Sequence, residues 1–411
     1  MEKRRVVITG IGTVNPLANN AKETWEAVKA GKCGIAPVTH FDTAEFKVKV
    51  AAEVKNFSTD GVIEPKEAKR MDPFMQYALV AADEAMKDSG LDISKEDATR
   101  AGCIVASGIG GFQTIENEIA KFNDKGPSRV SPFFIPMIIG NMAPGQIAIN
   151  YGLKGICTCV VTACASSNNA IGDAFHRIRD NYEDIMVCGG SEAAITPIAM
   201  AGFQSMKALN TTEDPTRASI PFDAERAGFV MGEGAGILVL EEYEHAKARG
   251  AKIYAEIAGY GATCDAYHIT APCPDGEGGA RSMKAAIEDA GLTPADVDYI
   301  NAHGTSTHMN DACETMAIKT VMGDAAKKVM VSSTKSMTGH LLGGAGAVEA
   351  IISALALRDG FVPATIGYKT PDPECDLDIV PNEGRNADIK VALSNALGFG
   401  GHNASIVLKK A

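Results

Sequence analysis

Short runs of consecutive apolar residues alternate along the chain with stretches in which apolar residues recur every three or four positions. Arg5–Thr9, Gly102–Ala106, Thr158–Thr162, Asp184–Cys188, Ile253–Ala258, Val297–Asn301, Val329–Ser333 and Ile389–Ser394 have the first pattern. Continuous apolar strands of this kind predict a sheet covered on both faces. Tyr77–Ser89, Ser166–Asn181, Gly279–Ala290, Asp311–Val321 and Ala345–Arg358 have the second pattern and predict helices. In Ser166–Asn181, Ala170, Ile171, Ala174, Phe175 and Ile178 form one stripe. Near the C-terminus, VALSNALGFGGHNASIVL predicts a hairpin with a glycine-rich turn. The order strand, loop, helix, strand around Cys164 is echoed around His303 and His340. This predicts an α/β chain of two similar halves, 1–250 and 251–411, changing over near Lys247–Lys252.

Composition adds bounds. The 411 residues are 45% hydrophobic and 22% charged, an ordinary globular balance, and too many for one simple layer stack. The net charge of −12 argues against a global affinity for nucleic acid or anionic membrane. No stretch is long enough to span a bilayer. The apolar run after MEKRR is too short for a secretory signal. Ten cysteines are scattered without a CxxC pair, which predicts buried, reduced thiols in a cytoplasmic protein and no zinc or thioredoxin motif. Cys157 and Cys159 alternate on the predicted strand and would face the same side.

Cys164 is the exception. It sits in VVTACASSNNAIGDAFHRIR, between a β-branched run and the start of a predicted helix. A thiol at a helix N-terminus has its thiolate stabilised, which predicts a lowered pKa and a nucleophile. Its own N–H could donate to an oxyanion. The local pattern alone fits a packed core thiol equally well. The second half adds His303 in NAHGTSTHMND, and Lys335 and His340 in a loop after another strand. All fall at the same end of successive strands, where ligands gather in such sheets. Glu349 lies in a helix among Ala, Val and Ile. A bare buried carboxylate costs several kcal/mol, so it needs a partner, and Lys335 or a backbone donor is the obvious candidate.

With these residues on the page, the chain resembles the condensing enzymes of the thiolase superfamily, most nearly the β-ketoacyl-acyl-carrier-protein synthase II group. The resemblance covers nearly the whole chain. It rests on VVITGIGTVNPL, GPSRVSPFFIP, VVTACASS, PFDAERAGFVMGEGAG, NAHGTST, STKSMTGHLLGGAGAVEA and NALGFGGHN together. It implies a duplicated thiolase fold: two βαβαβαββ halves in a five-layered αβαβα sandwich, in a homodimer. It also implies that Cys164 is the nucleophile, with His303 and His340 as the two catalytic histidines and Lys335 and Glu349 as supporting residues. Phe399 would be a gate whose N–H shares an oxyanion hole with Cys164. Thr305 and Thr307 would contact a phosphopantetheine arm, and Ile109 and Phe203 would line the acyl tunnel.

The implied reaction is decarboxylative condensation of an acyl-enzyme with malonyl-acyl-carrier protein, lengthening a fatty acyl chain by two carbons. No cofactor or metal is implied on the enzyme; the arm belongs to the partner, an acyl carrier protein in acyl and malonyl forms. Carriers are acidic and this chain is net negative, so docking needs a local basic patch. The resemblance places Lys66, Lys69, Arg70, Lys125, Arg129 and Lys207 around the tunnel mouth. Two positions depart from the family pattern: His308 stands where many relatives have proline, and His402 where many have threonine. Both are read as bystanders.

Four other readings compete. A dehydrogenase would use the GxG of ITGIGTVNPLA, but its third glycine is replaced by Asn15. An inactive partner subunit would lack the nucleophile. A thiolase would carry a second cysteine near GFGGHN. A ketosynthase of a type II polyketide pathway shares every motif and remains open.

Overall fold

The computed structural model describes residues 3–411. Ten strands form its main sheet: β1 Val6–Val14, β2 Ala101–Ala106, β3 Cys157–Thr158, β4 Ile185–Glu192, β5 Gly234–Glu242, β6 Ala255–Cys264, β7 Tyr299–Asn301, β8 Met330–Ser332, β9 Val391–Gly398 and β10 His402–Lys409. Their order is β8-β7-β9-β10-β6-β1-β5-β4-β2-β3. On one side of the seam, β1, β5 and β4 pair antiparallel, and β4, β2 and β3 pair parallel. On the other side, β6, β10 and β9 pair antiparallel, and β9, β7 and β8 pair parallel. The pattern repeats. The two five-stranded sheets meet where Val6, Val7 and Ile8 pair with Ile257, Glu256 and Ala255.

Six helices complete the layers: α1 Pro73–Ser89, α2 Met142–Tyr151, α3 Ser166–Arg179, α4 Glu277–Asp289, α5 His308–Met322 and α6 Ala345–Asp359. Helices α1 and α2 cover the outer face of the first sheet. Helix α4 covers the outer face of the second, with α5 beside it. Helices α3 and α6 pack against each other between the two sheets, and one apolar core joins them to both. Helix, sheet, helix, sheet, helix gives the five-layered αβαβα sandwich that the resemblance implies. Helix α6 is apolar nearly all round because water does not reach it: every residue from Ala345 to Leu357 is buried.

Helix α1 starts earlier than its periodicity predicts. The Asp72 carboxylate accepts from the Phe74 N–H, and Pro73 occupies the first helical position, where its missing N–H is harmless. The glycines of ITGIG lie within β1 rather than in a phosphate-binding turn. A Cβ on Gly10 or Gly12 would come within 2.2 or 2.0 Å of the Ala85 or Ala81 carbonyl oxygen, so these glycines let α1 approach the strand. This removes the structural basis of the dehydrogenase reading.

Three expectations differ. Strand β5, central to the sheet, is absent from the hydrophobic reading because its leading glycines mask it. The predicted strand Thr158–Thr162 shrinks to Cys157–Thr158, since the chain turns sharply before Cys164. The expectation of buried thiols fails at Cys157 and Cys264, which are exposed, and at Cys33, Cys159 and Cys273, which are half-buried. Cys157 is exposed because β3 is the outer edge of the sheet, and Cys264 because it ends β6 beyond the core. No helix among the described residues is long and apolar enough to cross a membrane.

Candidate active site

A cavity of about 530 Å³ opens between the two halves. Its walls include Cys164, His303, His340, Phe399, Thr305, Thr307, Ile109 and Phe203, together with Lys207 and His308.

Cys164 stands at the joint between β3 and α3. Ala163, just before it, has φ +49°, in the left-handed region that only glycine enters without strain. Thr162 and Cys164 bridge across this turn, which carries the thiol to the cavity wall. The helix-terminus argument predicts a lowered thiol pKa, and here the balance runs the other way. Burial pushes the Cys164 thiol up to about 12, against the opposing pull of the Lys335 ammonium. The resting group is a neutral thiol.

His303 follows β7, and the Glu314 carboxylate holds its loop. Glu314 Oε1 accepts from His303 N and Oε2 from Gly304 N, each at 2.8 Å, and Asn395 Nδ2 donates at 3.2 Å. Burial pushes Glu314 up to about 7. His340 is fixed through its backbone: its N–H donates to the Val230 carbonyl and its carbonyl accepts from Gly232 N, both at 2.8 Å. The two imidazoles meet edge to face with centroids 5.2 Å apart, and Phe229 packs on His340 at 5.4 Å. Burial, then the Lys335 charge, holds both rings well below the usual histidine range, so both are neutral. The Nδ1 of each is buried with no hydrogen-bond partner in the protein. A bare acceptor there costs less than a stranded N–H, which assigns the proton of each ring to Nε2.

Lys335 starts the short helix Lys335–Thr338 and is wholly buried. Its ammonium donates to Glu349 Oε1, the partner expected from the sequence. Burial pushes the Glu349 carboxyl up, and Lys335 opposes this. The second Glu349 oxygen, Asn301 Oδ1 and Ser394 Oγ are buried without partners. Asn301 and Ser394 are register partners on β7 and β9, and α6 packs on β9. These oxygens could accept a hard cation. His308, Asp372 and Glu374 also lie close together. However, Asp372 is already paired with the buried Arg226, which fills that role.

Phe399 lies in the β9–β10 turn, where Gly400 and Gly401 have φ +85° and +75°. A Cβ on Gly398 would lie 3.2 Å from Cys164 N, so the turn sits directly on the Cys164 loop. Asp265 pins it: Asp265 N donates to the Gly401 carbonyl at 2.8 Å, and Asn403 Nδ2 donates to Asp265 Oδ1 at 2.6 Å. Thr305 and Thr307 share a 2.9 Å hydroxyl contact at the wall.

Ile109 and Phe203 join Cys164, Phe229 and Leu342 in one apolar cluster. Lys66, Lys69, Lys125, Arg129 and Lys207 are exposed. Arg70 stacks over Phe133 at 4.5 Å, which brings its segment beside the one that follows Arg129. His402 lines a separate shallow pocket with Tyr260 and Cys264. The sequence reading missed Glu192, Glu314 and Phe229. Glu314 had the same signal as Glu349, an acid among small or apolar residues.

The model of the beta-ketoacyl synthase N-terminal domain matches residues 3–246, and that of the C-terminal domain matches 254–369. The chain belongs to the β-ketoacyl synthase family. Similar synthases include 3-oxoacyl-[acyl-carrier-protein] synthase 2 of Staphylococcus aureus, 56% identical over 100% of this chain and 99% of that protein. The protein of that description from Synechocystis is 52% identical over the same shares. Among solved structures, a type II polyketide synthase acyl carrier protein in complex with its ketosynthase superposes with TM-score 0.93. It is 37% identical, with 100% of both chains covered. A β-ketoacyl synthase from Burkholderia phymatum gives TM-score 0.91 at 34% identity, over 99% of this chain and 100% of that one. This synthase therefore has the thiolase fold and is a condensing acyltransferase.

Proposed function

We propose that the chain extends acyl groups on acyl carrier protein by decarboxylative condensation with malonyl-carrier, using Cys164, His303 and His340. The observation that carries this is one cavity lined by a thiol and two neutral imidazoles held 5.2 Å apart. The Cys164 sulfur attacks the acyl thioester carbon, losing its proton as it does so. The tetrahedral oxyanion is held by the N–H groups of Cys164 and Phe399, and the carrier thiol leaves protonated. Malonyl-carrier then loses carbon dioxide. The enolate oxygen takes hydrogen bonds from the two Nε2–H groups, which, being uncharged, do not trap it as an enol. The enolate carbon attacks the acyl-cysteine carbon, Cys164 leaves as a thiolate and takes a proton from solvent, and the β-ketoacyl product is two carbons longer.

The arm contacts Thr305 and Thr307, and Phe399 shields the acyl-enzyme from water. The halves are 1–250 and 251–411, and the protein works as a homodimer. Edge strand β3 supports this, flanked by Val161 and Ile149, which are 63% and 71% exposed. Ten unpaired cysteines suit the cytoplasm. The 52–56% identity to 3-oxoacyl-[acyl-carrier-protein] synthases outweighs the 37% identity to a polyketide ketosynthase.

Two experiments test this. Elongation of acyl-carriers of graded length should proceed with malonyl-carrier, and Ile109→Phe should shorten the longest chain accepted. An unchanged length profile in a folded variant would remove Ile109 from the tunnel. Rim charges steer encounter. Reversing Lys69 and Arg129 together should therefore raise the KM for acyl-carrier and flatten its salt dependence, sparing a small pantetheine thioester. Equal loss on both substrates, or none, would place carrier docking elsewhere.

A further inference from the structure

Glu192 ends β4 and is fully buried, just behind the cavity wall and outside its lining. Its carboxylate collects four donors. Oε1 accepts from Ser107 Oγ at 2.9 Å and Ile109 N at 3.2 Å. Oε2 accepts from Gly108 N at 2.8 Å and Gly343 N at 3.0 Å. Three of these donors belong to the segment that carries Ile109 into the cavity. The fourth lies three residues after His340, next to Leu342, which lines the cavity too.

Gly343 is held from its other side as well, since Ser167 Oγ, in the first turn of α3, donates to its carbonyl. Backbone touches backbone at this joint. A Cβ on Gly343 would come within 2.2 Å of Gly108 N and 2.7 Å of Glu192 Oε2. Leu342 has φ +49°, a conformation that persists only where its surroundings enforce it. One carboxylate therefore sets the spacing of two cavity walls, one from each half of the chain.

We propose that Glu192 is a positioning residue that sets acyl-chain selectivity by clamping Ile109 to the loop following His340. The proposal rests on the reading of this cavity as the acyl site. An amide cannot replace the acid here. Each oxygen accepts from at least one backbone N–H, so turning either into an NH₂ sets donor against donor. The walls then part while the reacting groups stay attached to their own elements.

The test is Glu192→Gln in the full-length protein, with kcat and KM measured on acyl-carriers of graded length and Cys164 acylation followed by intact mass. The ratio of kcat/KM between the longest and shortest accepted chains should change by about tenfold, on the scale of a displaced apolar contact. The change should appear mainly in KM, and Glu192→Asp, which keeps the charge, should restore part of the native profile. Uniform loss across all lengths, or an unaltered profile, would overturn the proposal. If Glu192→Gln does not fold, Ser107→Ala deletes one donor, leaves the carboxylate, and should change the same ratio; an unchanged ratio counts against the clamp. Failure of the native protein to form an acyl-enzyme would instead defeat the reading of the cavity.

Discussion

The Cys164→Ala protein is expected to fold and to acquire no acyl group when mixed with acyl-carrier, as read by intact mass. The cavity holds no second thiol to take over, since Cys164 is the one cysteine among its lining residues. The substitution removes a single atom at the wall, so the thermal midpoint should move little. The native thiol, held up near 12, sets a second expectation. Iodoacetamide should modify Cys164 slowly near neutral pH, and faster as pH rises, because the thiolate is the reactive form. The exposed Cys264 should be modified first. An acylated Cys164→Ala protein would move the nucleophile to another residue.

Losing either imidazole should be nearly as damaging at the next step. His303→Ala and His340→Ala are each expected to accept some acyl group on Cys164 while slowing malonyl-carrier decarboxylation by roughly 10²–10³. Carbon dioxide release and acylation, measured separately, check this. A variant that decarboxylates at a near-native rate would cancel that histidine's role. Electrostatics separates these losses from general damage. Both rings are neutral because of burial and Lys335, so under the proposed mechanism they serve as dipolar donors to charge that exists only during reaction. Each ring's backbone is fixed independently, His303 through Glu314 and His340 through Val230 and Gly232, so one substitution should leave the other ring in place.

What could be read from the residues depended on how loudly each departs from its surroundings. Glu349 was legible because a carboxylate in a helix of alanine and isoleucine demands a cation, and Lys335 provides it. The repeated strand order was legible as an echo, because apolar runs recur around Cys164 and around the two histidines. Ala163 was not legible, since an alanine carries no sign that its backbone is left-handed. Strand β5 was hidden by its opening glycines, and Glu192 by its place at the end of an apolar run. The direction of the Cys164 shift was misjudged for a physical reason. Sequence shows which helix start a thiol precedes but not how much solvent surrounds it, and desolvation is the larger effect.

The seam where Val6–Ile8 meets Ala255–Ile257 also bears on what counts as a separable unit. A cut between residues 246 and 254 would follow the boundary between the two family domains, yet it would not yield two independent proteins. Each fragment would keep one of the paired middle helices with its apolar side bare, and would present β1 or β6 as a raw sheet edge. Such pieces are templates for aggregation. Cys164 would sit on one and both imidazoles on the other, so neither would hold the whole proposed centre. The two sides of the repeated strand pattern are therefore one inseparable body, in solubility and in the make-up of the cavity.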